Sequence, residues 1–245
     1  MSIVLFVIIH WYLGLLIQSV FLHRYAAHKN FEMSPLCEKI FYFFTFLILG
    51  SSYMSAYAFG TMHRIHHAHA DKELDPHSPI KSPGYFGTLL QARHSYFNIF
   101  IGKTKVDSFM SNGVPAWHSF DKFAHSWITR SIWVLFYIFL YINLATSWWL
   151  FLFLPITVGM GALQGALINW WAHTYGYRNF NTNDNSKNLI ALDLLFLGES
   201  YHNNHHKHPW KLNHAYKWYE FDLGYHFIRF LGALRIVRIK KRALF

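Results

Sequence analysis

The stretch Ile132–Ala172, IWVLFYIFLYINLATSWWLFLFLPITVGMGALQGALINWWA, runs for 41 residues without a Lys, Arg, Asp or Glu. A helix rises about 1.5 Å per residue, so about 20 apolar residues cross the hydrocarbon of a bilayer. The stretch is therefore long enough for two crossings. Asn143, Thr146 and Ser147 interrupt it near the middle. Two helices over roughly 131–146 and 148–172, joined by a tight turn, are expected. Pro155 lacks a backbone donor and is expected to kink the second helix. Gly159, Gly161 and Gly165 point to close helix contacts.

Working outward, Ile3–Leu22 (IVLFVIIHWYLGLLIQSVFL) forms another uncharged span, 3–22. It lacks the basic start and small-residue cleavage site of a signal peptide. A further apolar segment, 40–59, opens IFYFFTFLILG and continues SSYMSAYAF, which is polar for mid-bilayer. Composition agrees with a membrane protein. Of 245 residues, 53 % are hydrophobic, 20 % aromatic and only 14 % charged, against about 25 % charged in soluble domains. One cysteine, Cys37, rules out an internal disulfide framework. The formal charge of +10 does not indicate nucleic acid, whose binders rarely carry such apolar runs. The fold class read from these features is an all-α integral membrane protein, one domain over 1–245.

All 22 Lys and Arg lie within 24–130 or 178–242. The positive-inside rule puts both regions in the cytoplasm and the N-terminus outside. That makes three crossings, and the cell's inner membrane is the expected location. The tail from Ile228, IRFLGALRIVRIKKRALF, is expected as a helix on an anionic leaflet of membrane lipid. Arg93, Lys103 and Lys105 contribute to a basic cytoplasmic surface.

Histidine spacing carries the chemistry. The chain holds 18 His. His23 and His28 frame H-R-Y-A-A-H. His63, His66 and His67 form H-R-I-H-H. Asn169 and His173 frame N-W-W-A-H, and His202, His205 and His206 form H-N-N-H-H. Helix positions i, i+3 and i+4 share a face, so each H-x-x-H-H group can point at one centre. His23 and His28 are five apart, about 140° around an α-helix; they suit one metal each, or a frayed helix end. Nine imidazoles exceed the needs of one ion, and two metals are the natural count. Imidazole suits Zn, Cu, Fe and Ni alike, and the lack of a thiolate cluster excludes a cysteine-ligated iron–sulfur centre. The groups at 23–28 and 63–67 can meet only if segment 40–59 enters and leaves on one side. A histidine-rich dimetal site at a membrane face points to redox chemistry on a lipophilic substrate. A saturated methylene has no acidic proton, so its hydrogen is removed by cofactor chemistry.

These motifs resemble the membrane-bound fatty-acyl desaturases, the histidine-box diiron family that includes stearoyl-CoA (delta-9) desaturase. H-R-Y-A-A-H is similar to the family's first box and M-H-R-I-H-H, followed by E-L-D-P-H, to its second. G-E-S-Y-H-N-N-H-H is similar to the third. N-W-W-A-H-T-Y-G and W-Y-E-F-D (Trp218–Asp222) resemble its flanking elements. The resemblance covers about residues 5–235. It implies two iron ions held by His23, His28, His63, His66, His67, His173, His202, His205 and His206, with Asn169 reaching a metal through water. It implies O2 as co-substrate, a cis double bond most often at carbon 9, and a fatty-acyl substrate linked to CoA, carrier protein or lipid. A separate electron donor such as ferredoxin or cytochrome b5 is implied too, since one cysteine builds no fused donor domain. A diiron hydroxylase of a lipid, alkane or carotenoid is the alternative. Carboxylates commonly hold the free nitrogen of ligating histidines; Asp71, Asp75, Glu199 and Asp193 are the candidates. His10, within the first span, is expected to pack against a neighbouring helix.

Overall fold

The computed structural model describes residues 2–80, 82 and 84–244. The chain is mostly helical. Helix α1 (Ile3–Ile17), capped by the Ser2 hydroxyl, continues without a break into a π-helical segment, Gln18–Ala27. α2 (Pro35–Leu49) starts with Ser34 as N-cap and Pro35 in the first turn, where its missing N–H is harmless. A single 3₁₀ turn, Gly50–Ser52, separates it from α3 (Ala56–His69). Then follow α4 (Tyr85–Phe100), α5 (Ser108–Ser111), α6 (His118–His125), α7 (Trp127–Leu144), α8 (Leu154–Thr174), α9 (His202–Lys207) and α10 (Leu223–Ala233).

Among the described residues, three helical stretches are each long and apolar enough to cross a membrane: Ile3–Ala27, Trp127–Leu144 and Trp148–Thr174. The expected turn near 146 lies between the last two, where a 3₁₀ stretch, Trp148–Phe153, leads into α8. Pro155 does not kink α8. It stands in the first turn, where no intrahelical partner for its nitrogen is needed. On α7, Ile128, Leu135 and Ile142 are 76 %, 65 % and 66 % exposed. Their seven-residue spacing makes an outward apolar stripe that suits lipid and not water.

The segment around 40–59 is bent. Pro35–Ser52 and Ala56–His69 meet at 80°. Gly50 makes the break with φ +52, and a Cβ there would overlap the Tyr137 hydroxyl. Asp121 of α6 pins the corner, accepting hydrogen bonds from the Tyr53 hydroxyl at 2.7 Å and the Ser55 hydroxyl at 2.8 Å. Of the three α8 glycines, Gly161 makes the expected close contact: its N–H donates to the Ser52 hydroxyl at 2.9 Å. Gly165 faces open space. His10 packs as expected, stacked on Phe6 with Nε2 2.7 Å from the Ile48 carbonyl.

The tail differs from the sequence reading. α10 stops at Ala233, and β2 (Val237–Ile239) pairs antiparallel with β1 (Phe31–Met33), Phe31 opposite Ile239. The V-R-I-K alternation has the period of a strand, not of a helix. Val20, Phe31, Leu212, Ile228 and Val237 form the small core that ties this tail to the first helix.

Candidate metal centre

The π-helical segment sets the first histidine pair. Its hydrogen bonds run from i+5 to i, and the His28 N–H donates to the His23 carbonyl at 3.1 Å. Residues five apart therefore fall toward one face. The two ring centroids lie 4.9 Å apart, and both side chains enter the same group of five. An α-helical count of 100° per residue had separated them.

Each H-x-x-H-H group also divides. The i and i+4 members are about 40° apart on an α-helix, while i+3 stands about 100° from i+4. From α3, His63 and His67 join His23, His28 and His205, whereas His66 turns the other way. From α9, His202 and His206 join His66 and His173, whereas His205 crosses over. The result is one group of five imidazoles and one of four, the ligating nitrogens of each lying within 4.8 Å of one another. Each H-x-x-H-H box thus serves both groups, whereas the first box serves only the five, and the expectation that each H-x-x-H-H group points at one centre is corrected.

Carboxylates fix the tautomers. Asp75 Oδ1 lies 3.0 Å from His66 Nδ1, Asp184 Oδ2 2.9 Å from His206 Nδ1, and Asp71 Oδ2 2.9 Å from His173 Nδ1. Glu199 Oε2 lies 2.6 Å from His23 Nδ1. An Nδ1–H that donates to a carboxylate leaves Nε2 as a bare lone pair. Yet His66 and His206 face each other Nε2 to Nε2 at 3.2 Å. Two lone pairs so placed repel, and a cation is the partner that satisfies both. Burial, then the neighbouring imidazoles, keeps the pKa of His202, His205 and His206 well below the ordinary 6.5. The neutral ring is the form a metal binds. Burial opposes ionisation of Glu199, but His23 and Arg24 hold its carboxyl well below the usual range.

Asp193 stands away from the imidazoles. Its oxygens accept from the backbone of Phe196, Gly198 and Ser200 at 2.7, 2.9 and 3.1 Å and shape the turn before α9. Asp184 was not anticipated, because it lies in the polar loop 179–188 without a helical register to locate it. The loop is pinned where the Asn185 N–H donates to Asp71 at 2.6 Å. His77 lies with its ring 4.2 Å from that of His66, within reach of a third grouping with Asp75.

Residues between and after the boxes hold them in place. Buried Arg24 pairs with Asp222 at 2.8 Å and with Glu199, tying the first box to the third and to W-Y-E-F-D. Glu220 accepts from Tyr177 and Asn179, both at 2.7 Å, and from Asn204 at 2.9 Å. The two asparagines of H-N-N-H-H are therefore struts: Asn203 Oδ1 accepts the backbone N–H of Asn179 and Phe180 at 3.0 and 2.8 Å.

An apolar cavity of about 320 Å³ lies between α3, α4, α7 and α8. Phe59, Gly165 and Asn169 line it and also line the small pocket that holds His23, His63 and His202. The apolar cavity thus adjoins a pocket that reaches members of both histidine groups.

A family model described as fatty acid desaturase matches residues 1–230. The chain belongs to the fatty acid desaturase family. Delta-9 desaturase-like 2 protein of Arabidopsis thaliana is 29 % identical over 216 residues, covering 86 % of this chain and 68 % of its own length. Delta-9 acyl-lipid desaturase 1 of the same plant is 28 % identical over 218 residues, covering 87 % and 67 %. Hex-5-enoyl-[acyl-carrier protein] acetylenase of Moorena producens (strain JHB) is 28 % identical over 257 residues, covering 93 % and 73 %. This desaturase is an oxidoreductase acting on fatty-acyl chains, with buried histidine groups able to hold metal.

Proposed function

We propose that this desaturase uses two iron ions and O2 to place a cis double bond in a saturated acyl chain, with carbon 9 as the position its relatives' names favour. One iron takes His23, His28, His63, His67 and His205. The other takes His66, His173, His202 and His206, with Asn169 reaching it through water. Bound iron supplies what acid–base side chains cannot, the removal of hydrogen from two adjacent unactivated methylenes. Over the cycle the chain loses two hydrogens, O2 takes these with two protons and two external electrons, and two waters form.

The observation that carries this reading is that the apolar cavity shares Phe59, Gly165 and Asn169 with the pocket lined by His23, His63 and His202. The chain's own residues do the positioning. Asp71, Asp75, Asp184 and Glu199 orient imidazoles through Nδ1, and their negative charge favours divalent cations between the rings. The cavity walls hold methylenes against the metal pocket and exclude water. The groups meet because α2 and α3 together enter and leave the bilayer on one face; the basic regions, the site and the C-terminus lie on the cytoplasmic side. Ferredoxin or cytochrome b5 delivers electrons there, and the acyl carrier is CoA, carrier protein or lipid.

The test is expression in an aerobic host lacking its own desaturase, with a compatible donor, and location of double bonds by mass spectrometry after derivatisation. A new cis-monounsaturated acid is expected. Hydroxy acids without an alkene would replace the proposal with a hydroxylase.

A further inference from the structure

A second apolar groove lies away from the histidines, between α1, α2 and the end of α10. It encloses about 610 Å³ and is walled by Leu13, Leu16, Ile40, Phe44, Ile48 and Phe227. Along α2 it reaches from Leu36 to Ile48, about 18 Å at the helical rise. That is close to the depth of one leaflet, half of a hydrocarbon core about 30 Å thick. At its polar end, Ser34, Arg235 and Ile236 are shared with an open vestibule of about 1060 Å³, lined also by Arg229, Arg238 and Glu32. Glu32 is committed to Arg238, and Lys240 lies 3.8 Å from it. Arg229 and Arg235 have no carboxylate partner among the described residues, and Arg229 lies over the Tyr225 ring.

Arg235 is the left-handed residue that ends α10, its N–H donating to the Gly232 carbonyl at 3.0 Å. Its φ is +58, a conformation that favours glycine and strains a residue with a Cβ. A long cationic side chain is nonetheless placed there, at the mouth of an apolar slot. A guanidinium fork matches phosphate oxygens in pairs. We propose that this groove seats one anionic phospholipid of the leaflet on the basic side. One acyl chain lies along α1 and α2, and Arg235 and Arg229 hold the phosphate. The seat needs the chain in a bilayer but neither bound metal nor desaturase turnover.

The experiment is native mass spectrometry of the purified full chain in detergent, with phosphatidylglycerol or phosphatidylcholine added in equal amounts. One phosphatidylglycerol is expected to be retained in preference. Arg229→Gln with Arg235→Gly should reduce that preference at least about tenfold, the scale of a lost charge-assisted hydrogen bond. Arg235→Gly relieves the left-handed strain, so its unfolding temperature in lipid-free detergent should hold or rise; a role confined to folding predicts a fall. Arg235→Lys keeps the cation favoured at a helix end but not the fork, and should bind between the two. Ile40→Trp fills the slot and should lower retention with both arginines intact. Equal retention of the two lipids, unchanged retention in the arginine variants, equal retention of palmitate, or a dimer that occludes the groove would each overturn the proposal.

Discussion

Gly165→Leu is expected to block the substrate passage while leaving the metal groups loaded. A Cβ built on Gly165 meets no atom within 4 Å, and the residue lines both the apolar cavity and the histidine pocket. Backbone conformation favours the change, since glycine inside a helix is about 1 kcal/mol worse than alanine. A leucine side chain standing in the junction displaces roughly three methylenes of the acyl chain. At about 0.8 kcal/mol each that is about 2.4 kcal/mol, or roughly 60-fold in kcat/KM. Gly165→Ala adds only the Cβ and should stay near the parent activity. The assay is turnover of a long-chain acyl substrate in membranes, with iron measured on the purified variant. Parent-like turnover by the leucine variant would refute the passage. Loss of iron in that variant would show instead that Gly165 supports the metal groups.

Other expectations follow from the same geometry. His173→Ala removes a member of the four-imidazole group alone, so bound iron should fall from about two to about one per chain by elemental analysis, with the protein still in the membrane and turnover lost. Asp184→Asn weakens the anchor of His206 and should lower iron affinity about 10- to 100-fold, read by competition with a chelator; an unchanged affinity would remove Asp184 from the site. Metal-free protein should lose thermal stability as pH falls below about 6.5. Burial depresses His202, His205 and His206 in the fold, so the unfolded chain binds more protons there and stability rises with pH through that window. A melting temperature flat between pH 7.5 and 5 would contradict this. Tags at the C-terminus and in the loop 179–188 should be reached from one side of the membrane and a tag at the N-terminus only from the other.

The membrane class and the three long helices were legible because lipid demands unbroken apolar runs, and such runs survive as plain strings of residues. The nine histidines were legible because their spacing is local and their number exceeds any packing need. The helical tail was misread because V-R-I-K becomes a strand only when β1 offers its edge. Pro155 was misjudged for want of the helix boundary that puts it in a first turn.

The partition of the histidines lay beyond sequence. It depends on a π-helical turn that brings the His23 and His28 rings edge to face and on how α3 and α9 face each other, so that each H-x-x-H-H box gives its i, i+4 pair to one group and its i+3 member to the other. The role of Asp184 likewise needed the loop to fold over His206. By itself the sequence determined which histidines gather into the two groups and that the chain carries helices of bilayer length, since composition and local period settle both. Tertiary structure alone decided which imidazoles fall in each group, which carboxylates face them and where the apolar cavity adjoins them, because each depends on distances between segments far apart in the chain.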